Sequence, residues 1–62
     1  MSRNMLTTKE CALIADLLTL EENACKKTRL YSRTMTDPAV AEKMKEIADG
    51  HERRFRALYD ML

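Results

Sequence analysis

The feature that most constrains this chain is a corner. The sequence holds one proline, Pro38, inside the tripeptide Thr36-Asp37-Pro38. A proline ring pushes the residue before it out of the helical region, so a helix arriving from the N-terminal side must stop near Met35. The same ring suits the first position of a new helix, where a missing N–H costs nothing, and Asp37 is a good cap for it. The sequence therefore predicts helix one over about 8–35, a turn at 36–37 and helix two over about 38–62. Thr7 and Glu10 have the spacing of a capping box at the start of helix one. Gly50 lies inside helix two and costs up to about 1 kcal/mol relative to alanine, but the apolar spacing stays in phase on both sides of it.

The hydrophobic pattern repeats in steps of 3 and 4, as a bundle seam does. In helix one the inward line runs Ile14, Leu17, Glu21, Ala24, Thr28, Tyr31 and Met35, broadened by Leu13, Leu18, Leu20 and Cys25. In helix two it runs Val40, Met44, Ile47, His51, Arg54, Leu58 and Met61, broadened by Ala41, Ala48, Phe55 and Leu62. Two such helices joined by a short turn make an antiparallel hairpin. One hairpin of 62 residues cannot cover both faces, and chains of this size are marginal alone. The simplest closure is a homodimer, an all-α four-helix bundle built from one single-domain hairpin spanning 1–62.

Three polar residues interrupt the apolar lines: Glu21, His51 and Arg54. Counting outward from a turn between Thr36 and Asp37 puts Glu21 level with position 52, so the three fall in one layer with apolar layers on either side. Three readings compete. The long side chains can snorkel to the bundle edge. They can pair as a Glu21–Arg54–His51 network that fixes register. Or Glu21 and His51 from two chains can hold a metal, since carboxylates and imidazoles on facing helices are how di-iron and di-manganese bundles do so. Arg54 is an unhelpful cation for the last. Glu22, Glu52 and Asp49 are read as outward and solvated.

Several functions are disfavoured. With 11 basic and 10 acidic residues spread along the chain and a net charge of +1, there is no one-sided basic footprint for nucleic acid. No stretch approaches the roughly 18 apolar residues of a membrane span, and the first six residues lack a signal-peptide core. The expectation is a protein that is cytoplasmic and not secreted. Cys11 and Cys25, fourteen apart on one helix, lie about 21 Å apart, beyond disulfide reach. One histidine, no glycine-rich loop and no nucleophile–base pair leave no catalytic residues to nominate, so the chain reads as a non-enzyme.

The segments Leu17–Lys27, Thr36-Asp37-Pro38-Ala39-Val40, Glu46–His51 and Leu58–Leu62 resemble the ferritin-like superfamily. They are most similar to the short spore coat protein F-related proteins and to rubrerythrin-like hairpins. The resemblance implies a ferritin-like bundle, a spore-associated location and spore coat proteins as partners. It also implies iron or manganese as the cofactor where a metal is held. Against the family's Glu-x-x-His, this chain has His51 and Arg54, and only Glu21 matches residue for residue. The resemblance therefore implies a scaffold without the di-iron centre. The expected function is a small structural or interaction protein, with a metal-binding dimer through Glu21 and His51 as the alternative.

Overall fold

The computed structural model describes residues 5–62. It consists of α1, Thr8–Thr34, and α2, Pro38–Tyr59, with no strand among the described residues. The four residues before Met5, on which part of the signal-peptide expectation falls, lie outside the described residues. No helix is long and apolar enough to cross a membrane among them.

Local chemistry accounts for the helix ends. The N–H of Glu10 donates to Thr7 Oγ1 at 3.0 Å and the N–H of Thr7 donates to Glu10 Oε1 at 2.9 Å, a reciprocal capping box. Asp37 Oδ1 accepts from the N–H groups of Ala39 and Val40 at 2.9 and 3.2 Å, with Pro38 as the first helical residue. Such caps each contribute about 1 kcal/mol. Helix one ends at Thr34, with Met35 already extended. Helix two ends at Tyr59, short of the expected 62, because Met61 and Leu62 form tighter bonds to Leu58 and Tyr59.

The contact between the helices follows a strict 3-4 repeat. Cys11, Ile14, Leu18, Glu21, Cys25, Thr28 and Ser32 line it from α1, and Ala41, Met44, Ala48, His51, Phe55 and Leu58 from α2. All of these are buried or half-buried. Small residues set how closely the helices approach. Ala48 is fully buried, and its carbonyl accepts from Cys25 Sγ at 3.5 Å. Thr28, polar on this seam, donates back to the Ala24 carbonyl at 2.8 Å, so it brings no unmet hydrogen bond. Both cysteines are free thiols.

Within one hairpin this seam takes up only part of the lines read from periodicity. Leu17 and Tyr31 of α1, Val40 and Ile47 of α2, and Met35 and Met61 just beyond the two helices are exposed in the single hairpin. Each helix is apolar over two adjacent stripes, and periodicity merges them. Only the stripe carrying Ala41, Ala48, Cys11 and Cys25 lets the backbones come close, so that stripe closes within the chain.

The hairpin is a slab, 46 × 17 × 9 Å across its Cα atoms, one helix thick. Helices need a second layer to cover a wide apolar face. Among the described residues only Ile14 and Ala48 are buried hydrophobics.

Gly50 is buried without being in the seam, and the helix runs straight through it. A Cβ there would lie 3.3 Å from Nη1 of Arg54, which rests on the glycine. That atom is the far end of a flexible side chain and can give by a few tenths of an ångström. Gly50→Ala is therefore expected to raise thermal stability by up to about 1 kcal/mol through helix propensity. A lower melting temperature by circular dichroism would show that Arg54 cannot move.

Candidate functional site

The capping and seam geometry just described fixes where Glu21, His51 and Arg54 meet. Glu21 lies at the midpoint of α1, and its side chain extends across the seam to α2. Its Oε1 is 2.5 Å from Nδ1 of His51, and its Oε2 accepts from Nε of Arg54 at 3.0 Å. Glu21 and His51 are each about four-fifths covered, with 20% and 21% of their side chains exposed, while Arg54 is 56% exposed. The covered carboxylate thus lies under a guanidinium that reaches into solvent.

The proton on His51 can be assigned from chemistry. Nη2 of Arg54 also lies 3.0 Å from Nδ1, but one ring nitrogen cannot donate to a carboxylate and accept from a guanidinium together. An ionised carboxylate only accepts, and its contact is the shorter, so Nδ1 carries the hydrogen and Arg54 packs against the ring edge. His51 is held in one tautomer, and Arg54 keeps N–H groups that no acceptor among the described residues takes up.

The Glu21 carboxyl is held below its ordinary value of 4.5. The hydrogen bond from His51 contributes most, partial burial pushes the other way, and Arg54 adds a hydrogen bond and charge attraction. A carboxyl more acidic in the folded than in the unfolded chain stabilises the fold above its unfolded pKa, and loses that contribution as pH falls through the folded value. Melting temperature is therefore expected to drop as pH falls below about 4.5, and Glu21→Gln is expected to flatten that part of the profile. An unchanged acid slope in the variant would sink the assignment.

A second polar cluster, missed by sequence reasoning, lies on the opposite side of the hairpin. Arg29 of α1 bonds Asp49 Oδ1 at 2.9 Å and Glu52 Oε1 at 3.0 Å, and Glu52 also meets Arg56 at 3.4 Å. The Arg29 pKa is raised, chiefly by the Asp49 hydrogen bond. Asp49 and Glu52 were expected to be merely solvated; they remain half-exposed but clamp α1 to α2. The signal was present in the spacing: Arg29, Asp49 and Glu52 all sit just to one side of the seam, where a long guanidinium can span the gap.

The exposed apolar residues complete the site. Leu17 and Tyr31 lie roughly a quarter turn from the seam on α1, with Leu13 and Leu20 a little over a third of a turn away, and Val40 and Ile47 are displaced in the same rotational sense on α2. Because the helices run in opposite directions, the same sense on each brings both stripes to one side of the hairpin. Leu20 is 65% exposed and Ile47 44%. Arg54 belongs to this side too, the one charge near the middle of an otherwise apolar stripe on α2.

The donor set does not fit a metal centre. No three His, Cys, Asp or Glu side chains cluster among the described residues. Both Glu21 oxygens are already engaged, one by His51 and one by the cation Arg54. A metal would have to displace both partners and sit beside a guanidinium. No family model matches the chain, and no curated protein or solved structure matches it.

Proposed function

We propose that this chain is a small, non-catalytic structural or interaction protein that works as a self-associated four-helix bundle. The observation that carries this reading is the largely apolar side formed by Leu13, Leu17, Leu20, Tyr31, Val40 and Ile47 around Arg54, left uncovered in a slab one helix thick. Exposed patches of that kind mark association surfaces. A second copy covers it by burying the large apolar side chains of both hairpins against one another, and converts one layer into two. The polar layer then serves register rather than chemistry, since its groups bond one another and leave no nucleophile or free carboxylate. The resemblance to short spore coat proteins supports a structural role in the same direction.

Sedimentation equilibrium tests the reading. The expected mass is twice the 7.2 kDa of one chain, with dissociation on dilution. A species of one-chain mass that keeps full helix content up to high micromolar concentration overturns it.

A further inference from the structure

Resting on that dimer, we infer how the second copy is oriented: α1 of one chain lies over α2 of the other, with both turns at the same end, and Arg54 of each chain reaches the partner's Glu21. Two hairpins can stack face to face about a two-fold axis in two ways. If the axis crosses the helices, α1 meets the second α1, α2 meets the second α2, and the turns point apart. If it runs along them, each α1 meets the opposite α2 and the turns coincide. Because Glu21 sits at the midpoint of α1, both arrangements overlap fully and bring layer onto layer, so overlap alone does not choose.

Charge and size choose. In the first arrangement Arg54 faces a second Arg54 across the axis, so two guanidiniums, each already paired with its own Glu21, meet as like charges in a water-poor interface. In the second, Arg54 faces α1 of the partner at the level of its Leu17, Leu20 and Glu21. There the N–H groups of Arg54 left without an acceptor among the described residues reach the partner's Glu21, whose carboxylate oxygens each keep a second lone pair. The same levels set bulk against gap. By the register that places Cys25 at Ala48, Arg54 falls between the partner's Leu17 and Leu20, and Val40 falls between its Tyr31 and Met35. Gly50, carrying no side chain, falls level with Asn23, next to the small Ala24.

The test is a distance. In the Cys11→Ser, Cys25→Ser background, a nitroxide is placed on Thr36→Cys, an exposed turn residue. Coincident turns give a label separation below about 25 Å, since packed helices lie about 10 Å apart. Opposed turns, each about fifteen residues from the layer, give about 40 Å or more. A dimer with the short distance is the expected result. A dimer with the long distance overturns this orientation and leaves the dimer standing, whereas a folded monomer in the same sample removes the dimer itself. Arg54→Gln is expected to weaken the dimer about a hundredfold or more at unchanged helix content, the size of the two charge-assisted hydrogen bonds that the two-fold axis generates across the interface. An unchanged dissociation constant would also overturn the contact.

Discussion

Replacing Ala48 with leucine is expected to unseat the hairpin, lowering the melting temperature by roughly 10 °C or more. Ala48 is the one fully buried side chain of α2, and its carbonyl sits 3.5 Å from Cys25 Sγ on the facing helix. Three extra carbons have nowhere to go unless the helices separate, and separation stretches the Glu21–His51 and Arg29–Asp49 bonds within about one turn of it. Overpacking of this kind costs about 1–3 kcal/mol, and a chain of this size has only a few kcal/mol of stability to lose. Ala57→Leu, an exposed site on the same helix, serves as the propensity control and is expected to be nearly neutral. If Ala48→Leu melts with the wild type, the close approach at this turn is wrong.

The larger effect on assembly is expected from Leu17→Lys combined with Ile47→Lys. Neither side chain lies in the seam, and both are nearly half-exposed, at 46% and 44%, so the hairpin itself has little reason to unfold. In the bundle, however, four apolar side chains would be replaced by four ammonium groups in the space between the hairpins. Burying a leucine or isoleucine is worth about 1.5–3 kcal/mol, so the loss across the interface reaches several kcal/mol, a weakening of dimerisation on the order of a thousandfold or more. Sedimentation velocity is expected to show one-chain mass at concentrations where the wild type is paired. Thermal stability should also lose its dependence on protein concentration, because a partner that binds only the folded chain stabilises it by mass action. A variant that sediments like the wild type would show that this side is not the interface.

Two features were legible in the sequence and two were hidden. The corner was legible because Asp37 and Pro38 act through their own backbone chemistry: a cap oxygen two and three residues from the N–H groups it serves, and a ring that forbids the helix before it. The level of Glu21 with the turn holding His51 and Arg54 was legible too, since equal rise per residue in two antiparallel helices makes it simple counting. The hidden part was the rotation of each helix about its own axis. A helix apolar across two stripes has two candidate seams, and residue type alone ranked Leu17, Tyr31 and Ile47 as inward because they are large and apolar. What selects between the stripes is how close two backbones can come, which is a property of the pair. The Arg29 clamp was hidden for the same reason: an arginine shows its partners only once the neighbouring helix has taken its angle.

By itself, then, the amino-acid order determined two capped helices, the turn between them and the layer at which the polar residues stand, all consequences of local hydrogen bonding and of distance along the chain. Only the folded pair decided which stripe closes and which stays open. The alanines and cysteines permit near contact where leucines do not, and this leaves the leucine-rich side, with Arg54 at its centre, facing outward.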